Sequence, residues 1–192
     1  FWIIIAGYIV GMGLPIAGSY VVLVIFGVLS LTHLGVPTPA AHLTCYWVAV
    51  VSAVTPPVAL AAYAASAIAS SDPIKTGFQA MKLSSWIFIM PFLFVYTPLL
   101  LTGTYLEITI TVIACLLGIV SWASFMENFL IKQTKFLEWI LLFIASVFLL
   151  LPIDNLLTWI SPLEGQFDWI FYFMGAILLV SAFLLQTKRK EV

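Results

Sequence analysis

The residues best suited to binding a solute lie in two short groups of helix-breaking residues. Gly11-Met12-Gly13-Leu14-Pro15 and Thr55-Pro56-Pro57 each interrupt a long apolar segment, and residues 1–71 contain no Lys, Arg, Asp or Glu. A helix that stops inside a membrane leaves carbonyl and amide groups unpaired unless protein or a water-filled cavity receives them. Two interruptions in one charge-free block therefore indicate a binding site built from neutral groups.

Such a site can bind a cation without any carboxylate. A half-helix that ends inside a membrane directs unpaired carbonyl groups toward a cation. The candidate Na⁺ ligands are the carbonyl groups and hydroxyl groups of Gly11, Gly13, Ser52, Ala53, Val54 and Thr55. The alternative interpretation is that Pro and Gly merely kink packed helices, which is common in membrane proteins.

The same interruptions can also bind an anion. A half-helix that begins inside a membrane directs unpaired amide groups, and the positive end of its dipole, toward an anionic group. The helix starts that follow Pro15 and Pro57 are the candidates for an organic acid. The second of these starts comprises Thr55, Pro56, Pro57 and Val58.

Composition places these groups in a membrane protein. Of the 192 residues, 64% are hydrophobic and 8% are charged, whereas about a quarter of the residues of a soluble domain are charged. The sequence therefore predicts an all-α polytopic membrane protein. A net charge of -1 provides no basic surface for nucleic acid. The sequence shows no catalytic triad, metal cluster or phosphate loop, and the two histidines, His33 and His42, are isolated. Cys45 and Cys115 are interpreted as small buried side chains. An enzyme is therefore not indicated.

Apolar segments and breakers predict the elements that carry these groups. Residues 1–84 are predicted to contain two apolar arms over 1–32, separated by the interruption at 11–15, and a broken helix over 37–71, followed by an interfacial helix over 74–85. A membrane helix over 86–101 and a C-terminal extension over 104–192 follow. The extension carries three spans, near residues 108–125, 136–151 and 169–185, which makes four further transmembrane helices in all.

Charge in the connectors predicts the orientation of these spans. The Lys and Arg residues fall in connectors on one side of the predicted spans, at Lys75 and Lys82, at Lys132 and Lys135, and at Lys188-Arg189-Lys190. The connectors at residues 102–107 and 153–168 carry only acidic charge. The positive-inside rule therefore places the basic connectors and the C-terminus in the cytoplasm. Residues 11–15 are then either the tip of a hairpin entered from outside or a break in a second crossing helix.

Several short motifs occur together in the first part of the chain. They are Gly11-Met12-Gly13-Leu14-Pro15, Leu34-Gly35-Val36-Pro37, Ala40-Ala41-His42-Leu43, the stretch from Ser52-Ala53-Val54-Thr55-Pro56-Pro57-Val58 to Ala65, Asp72-Pro73 and Thr76-Gly77. In these motifs the chain resembles the C-terminal part of the fused permease of TRAP transporters, the tripartite ATP-independent periplasmic transporters, above all the type that works with TAXI-type binding proteins. The resemblance is strong over residues 1–101 and has no specific motif after residue 104. It implies that residues 1–84, with a hairpin over 1–32, form the C-terminal half of a transport domain.

The resemblance implies an elevator-type, ion-coupled importer. In such a transporter two inverted repeats each pair a re-entrant hairpin with a broken helix, so residues 11–15 become a hairpin tip and residues 55–57 a helix break. The family commonly has Thr after the tip proline, whereas this chain has Ile16, and Ser19 is the nearest hydroxyl that can replace that substrate contact.

The sequence thus predicts the C-terminal portion of a bacterial inner-membrane permease that imports an organic acid with Na⁺ and needs no other cofactor. Its expected partners are a periplasmic TAXI-type solute-binding protein, the N-terminal half of the same permease and membrane lipid. The beginning of the chain at Phe1, inside an apolar run, also favours a longer protein. The alternatives are a binding-protein-independent ion-coupled carboxylate transporter and a non-transporting structural subunit of the membrane. Proton coupling in place of sodium coupling also stays open.

Overall fold

The structure is a computed structural model that describes residues 2–100, 104–151 and 168–188. Its described residues are helical apart from short connections, as predicted for an all-α membrane protein. The helices are α1 (Trp2–Gly11), α2 (Ile16–His33), α3 (Thr38–Val51), α4 (Leu60–Ile68), α5 (Pro73–Leu83), α6 (Met90–Tyr96), α7 (Tyr105–Glu127), α8 (Phe136–Leu150) and α9 (Asp168–Lys188). A π-helical turn, Val24–Val28, lies within α2. The chain divides into two compact units, Phe1–Val95 and Tyr96–Val192.

Within the described residues, three helices are long and apolar enough to cross a bilayer: Ile16–His33, Tyr105–Glu127 and Trp169–Lys188. A fourth candidate is the bent pair of Pro73–Leu83 and Ser85–Tyr96, whose two parts meet at 61°. These elements confirm a polytopic helical membrane protein. How α1 and α2 enter the bilayer stays a prediction.

Local sequence explains where several helices begin and end. Pro37 precedes the first residue of α3, and Asp72 caps α5 by accepting a hydrogen bond from the Lys75 amide at 2.9 Å. Thr104 and Glu107 form a capping box at the start of α7, which pairs two amides that the helix leaves open. After α2, Gly35 adopts a φ of 87°, a conformation that glycine accepts without a steric penalty.

In the first unit, α1 and α2 form an antiparallel pair. A Cβ atom on Gly7 of α1 would lie 3.2 Å from Leu23 Cδ2, and one on Gly27 of α2 would lie 3.8 Å from Ile3 Cγ2. Gly7 thus lies opposite Leu23, and Ile3, one turn further from residues 12–15, lies opposite Gly27, which is also one turn further from them. This is the pairing expected for the two arms of a hairpin. Helix α3 packs along both arms, and the buried core of the three helices consists of Ile4, Leu23, Val28, Leu31, Ala41, Cys45, Val48 and Ala49.

The predicted membrane helix over 86–101 is divided in the structure. A 3₁₀ turn, Ser85–Phe88, precedes α6, and a second one, Pro98–Leu100, follows it. Tyr8 of α1 donates a hydrogen bond to the Phe88 carbonyl at 2.8 Å and packs on its ring. A side chain from a distant helix therefore holds the end of the first 3₁₀ turn.

The second unit is a bundle of α7, α8 and α9 that contains no comparable interruption in its described residues. A Cβ atom on Gly118 of α7 would lie 2.7 Å from Leu150 Cγ, and one on Gly175 of α9 would lie 2.7 Å from Leu149 Cγ. Small residues thus bring the helices into close contact, as is common in membranes. The helix bounds are close to the predicted spans 108–125, 136–151 and 169–185. The predicted acidic connector at 153–168, except its last residue, and the basic residues 189 and 190 lie outside the described residues.

Candidate functional site

The hairpin tip is held by one buried hydroxyl group. Helix α1 ends at Gly11 and α2 begins at Ile16. The hydroxyl of Ser19, which is completely buried, lies 3.4 Å from the carbonyl oxygen of Gly11 and 3.1 Å from that of Leu14. The Ser19 hydrogen therefore shapes the tip, and only the lone pairs of Ser19 Oγ remain for a ligand.

The break after α3 uses its hydroxyl groups in the same way. Ser52 Oγ donates to the carbonyl of Ala49 at 2.7 Å, and Thr55 Oγ1 donates to that of Val51 at 2.7 Å. Both side chains are buried. Because each hydroxyl hydrogen is already donated, the two oxygens can act toward a ligand only as acceptors. Such oxygens suit a cation or a hydrogen-bond donor.

The backbone of the break is partly paired. The Ala53 carbonyl, predicted to be unpaired, accepts a hydrogen bond from the Ala61 amide at 3.0 Å, which joins the end of the break to the start of α4. The Thr55 carbonyl accepts one from the Ala59 amide at 3.0 Å. In contrast, the carbonyls of Gly13 and Val54 receive no hydrogen bond from any residue that the structure describes. Gly13 and Val54 therefore present the more available backbone oxygens.

The structure brings the hairpin tip and the break together. Gly11 is buried against α3, and a Cβ atom placed on it would lie 3.4 Å from the Val48 carbonyl oxygen and 3.9 Å from Ser52 Cβ. Residues 41 positions apart in the sequence are thus in contact at the two interruptions. Gly13, Pro15 and Pro57 are exposed in this chain, so these members of the predicted site face outward and are not enclosed by its described residues.

Both helix starts lack a side-chain cap. Pro15 precedes α2 and Ala59 precedes α4, and neither provides a side-chain hydrogen bond to the first turn. Ala59 adopts left-handed backbone angles, with a φ of 33°. The Ala61 amide is paired with Ala53, as described above, so the α2 start leaves more of its first amides open to an anion than the α4 start does.

Helix α5 supports the break, a role that the sequence did not indicate. A Cβ atom on Gly77 would lie 3.1 Å from Tyr63 Cε1 and 3.2 Å from Pro56 Cγ. Tyr63 in turn donates a hydrogen bond from its hydroxyl to the Pro57 carbonyl at 3.0 Å. The predicted interfacial helix therefore also braces the two prolines. The available signal was Gly77 itself, since a glycine inside a helix often marks a close approach.

His42 has a specific partner on the hairpin. Its Nδ1 lies 3.0 Å from the hydroxyl of Tyr20, and the Tyr20 ring packs edge-on against that of Tyr46. Within the described residues there is no group of three or more His, Cys, Asp and Glu side chains placed to hold a metal ion. His42 thus takes part in helix packing between α2 and α3.

These features define a class of protein: a polytopic helical membrane protein in which two interrupted helical elements meet in a charge-free region. Residues 2–109, more than half of the chain, match the family described as "Tripartite ATP-independent periplasmic transporter, DctM component". The chain therefore belongs to the permease component of TRAP transporters, as the sequence motifs indicated. Neither the curated proteins nor the solved structures contain a match to it.

Membership gives the coarse outlines of function. A TRAP permease is a transporter component and works with a periplasmic binding protein and the other TRAP components. Together with the apolar helices, it indicates a multi-pass protein of the inner membrane. The TAXI type, the fusion to further membrane helices and the cytoplasmic C-terminus stay predictions.

Proposed function

We propose that this chain carries half of the transport site of a Na⁺-coupled importer of organic acids. The observation that carries the proposal is the contact of Gly11 at the hairpin tip with Val48 and Ser52 at the end of α3. This contact joins the two interruptions at which backbone groups lose their helical hydrogen bonds. Ligands that bind at such a junction are held by groups from both elements.

The cation half of the site consists of neutral oxygens. Ser52 Oγ and Thr55 Oγ1 can act toward Na⁺ only as acceptors, because their hydrogens are donated to the carbonyls of α3. The carbonyls of Gly13 and Val54 add backbone oxygens that receive no hydrogen bond from the described residues. The Ala53 carbonyl, which accepts one hydrogen bond from the Ala61 amide, contributes through its second lone pair. The Gly11 carbonyl accepts from the Leu14 amide and from Ser19 Oγ, each at 3.4 Å, so it contributes only when one of these long hydrogen bonds opens.

The anion half is formed by helix starts. A carboxylate placed before α2 interacts with the positive end of its dipole and with amides that lack a side-chain cap. We assign Pro15 and Ser19 to this side of the site. Thr55 and the residues Pro56, Pro57 and Val58 form the other side, before α4. Because Ser19 already donates to the tip carbonyls, its contribution to substrate binding is to hold the tip in place.

The other half of the site comes from the N-terminal half of the same permease, as an inverted repeat. A TAXI-type solute-binding protein delivers the organic acid on the periplasmic side, and the transport domain moves as an elevator. The charge distribution supports a cytoplasmic C-terminus, since Lys75, Lys82, Lys132, Lys135 and Lys188 lie in connectors on one predicted side.

Uptake by proteoliposomes that contain the full-length permease tests the proposal. A mixture of candidate organic acids is offered with and without the binding protein, and Na⁺ and proton gradients are imposed separately. We expect uptake that requires both the binding protein and an inward Na⁺ gradient. Uptake that persists without the binding protein would instead establish an independent transporter, and uptake driven only by protons would remove Na⁺ from the proposal. No uptake of any acid under any gradient would favour a structural subunit.

A further inference from the structure

The turn between α7 and α8, residues 128–135, is held by two polar side chains that are buried next to it. Gln186 of α9 is completely buried, and its Oε1 accepts hydrogen bonds from the amides of Ile131 at 3.0 Å and Lys132 at 3.1 Å. Its Nε2 donates to Glu138 Oε2 at 3.2 Å. Glu138 is also buried and accepts a hydrogen bond from the Lys135 amide at 2.9 Å. A buried amide and a buried carboxylate thus hold the backbone of the α7–α8 turn.

Four large apolar side chains of this region are exposed, although Leu130 of the turn packs against the core of the bundle. Phe129 and Ile131 in the turn are 53% and 43% exposed, and Phe136 and Leu137 at the start of α8 are 78% and 62% exposed. In a water-soluble loop the opposite arrangement is the rule, because large apolar side chains are buried and polar groups are exposed. The α7–α8 turn therefore has the arrangement of a segment that contacts lipid.

The exposed side chains are held on a well-connected backbone. Phe129 and Gln133 form an antiparallel bridge, and the Thr134 amide donates to the Asn128 carbonyl at 2.8 Å. With the Gln186 bonds, these contacts fix the outward direction of Phe129 and Ile131. The exposure of the two side chains is accordingly built into the fold of the turn.

Basic residues surround this apolar surface. Lys132 and Lys135 belong to the turn, and Lys188 follows Gln186 by two residues and lies at the same end of the bundle. Among the described residues, the acidic side chains at this end are Glu127, which is exposed, and Glu138, which is buried in the hydrogen-bond network. The described part of this end thus carries three lysines and two carboxylates, of which only one is exposed. An excess of positive charge favours negatively charged headgroups.

We propose that the α7–α8 turn inserts Phe129 and Ile131 into the lipid interface and binds an anionic phospholipid headgroup through its lysines. The apolar side chains would contact the upper acyl chains, while Lys132, Lys135 and Lys188 reach the phosphate level, as long basic side chains do near helix ends. The residues of this site belong to the second unit, whereas those of the proposed transport site belong to the first.

Depth measurement tests the insertion. In the full-length permease in nanodiscs, a spin label at Phe129→Cys is compared with labels at Leu116→Cys, on the exposed face of α7, and at Ser71→Cys, in an exposed polar turn. We expect the label at position 129 to collide with oxygen more than with a water-soluble nickel complex, in a ratio closer to position 116 than to position 71. A ratio equal to that at position 71 would overturn the insertion.

Charge substitution tests the headgroup. The unfolding midpoint is measured in nanodiscs of phosphatidylcholine with and without phosphatidylglycerol. We expect phosphatidylglycerol to raise the wild-type midpoint, and the double variant Lys132→Gln, Lys135→Gln to lose most of this increase. Each lysine removed should weaken the preference for the anionic lipid about fivefold. The double variant Lys75→Gln, Lys82→Gln has the same change in charge elsewhere and should keep the increase.

The readout is the difference between the two lipids, so a general loss of stability in the variant does not mimic the expected result. An increase of the same size in wild type and in the Lys132, Lys135 variant would overturn the headgroup site. So would the same loss in the Lys75, Lys82 variant, because it would show a general charge effect.

Discussion

Ser19 and Ser121 are both completely buried and both donate to backbone carbonyls, but one lies in each unit of the chain. Ser121 Oγ donates to the Leu142 carbonyl at 2.8 Å and joins two uninterrupted helices, α7 and α8. Ser19 Oγ faces the carbonyls of Gly11 and Leu14, at the point where α1 stops. The same chemistry therefore packs a regular bundle in the second unit and shapes an interruption in the first.

Gly11 at the hairpin tip differs from two buried glycines of the second unit in its nearest neighbour. A Cβ atom on Gly118 or Gly175 would lie 2.7 Å from a leucine side chain, whereas one on Gly11 would lie 3.4 Å from the Val48 carbonyl oxygen. A side chain longer than a methyl group at Gly11 would therefore reach backbone of the proposed site, whereas one at Gly118 or Gly175 would first meet leucine side chains.

The largest effect is expected for Gly11→Leu. Its side chain would enter the space between the tip and the Val48 carbonyl, and displacing a binding group by about 1 Å can reduce a rate about 100-fold. Proteoliposome uptake should fall to background while the permease still inserts and folds. Gly18→Ala is the control, since a Cβ atom there would lie 3.9 Å from Leu14 Cβ, an ordinary contact. Normal uptake by Gly11→Leu would remove the tip from the site.

Next in size is the effect of Thr55→Val, which keeps the shape of the side chain and removes its oxygen. If Thr55 Oγ1 is a cation ligand, the Na⁺ concentration that gives half-maximal uptake should rise about tenfold, equivalent to about 1.4 kcal/mol. Thr55→Ser keeps the hydroxyl and should stay near wild type. Equal Na⁺ dependence in Thr55→Val and Thr55→Ser would contradict this assignment.

Removing the two buried serine hydroxyls compares the units directly. Ser19→Ala and Ser121→Ala should each lower stability by about 0.6 kcal/mol, and at most about 1.7 kcal/mol, as for other hydrogen bonds inside membranes. Thermal unfolding measures this loss. Only Ser19→Ala should also reduce uptake, because only Ser19 holds the tip. A similar reduction of uptake by Ser121→Ala would mean that the two units do not differ in the way described.

The smallest effect is expected for Ala59→Gly. Left-handed backbone angles cost a residue with a Cβ atom about 1 kcal/mol, and glycine removes that cost but loses about 0.5–1 kcal/mol through chain entropy. The net change in unfolding free energy should lie between zero and a gain of about 0.5 kcal/mol. Asn128→Gly, at a φ of 54° in the second unit, should be neutral. A clear loss of stability in Ala59→Gly would show that Ala59 packing matters more than its backbone angles.

The interruptions and the three helices of the second unit could be predicted because their causes are local. Pro15, Pro56 and Pro57 lack the amide hydrogen that a helix interior needs, and the glycines before Pro15 accept backbone angles that other residues avoid. Each span in the second unit is a long apolar run. The same short motifs predicted that the chain belongs to the TRAP permeases.

Other features depend on contacts that a single stretch of sequence does not contain. The Ala53 carbonyl is paired because α4 turns back onto the break. The 3₁₀ turn that ends at Phe88 is held by Tyr8 of α1, which is 80 positions away. In the sequence, Gln186 is a polar residue near the end of an apolar segment and indicates no particular role. Only the fold shows that it binds the backbone of the α7–α8 turn.

The most direct test of the transport site is the Na⁺ dependence of uptake by the full permease with its binding protein, compared between wild type, Thr55→Val and Gly11→Leu. We expect Na⁺-driven uptake in wild type, a requirement for about tenfold more Na⁺ in Thr55→Val and no uptake in Gly11→Leu. Three indistinguishable Na⁺ titrations would contradict a transport site at the junction of Gly11 and Ser52.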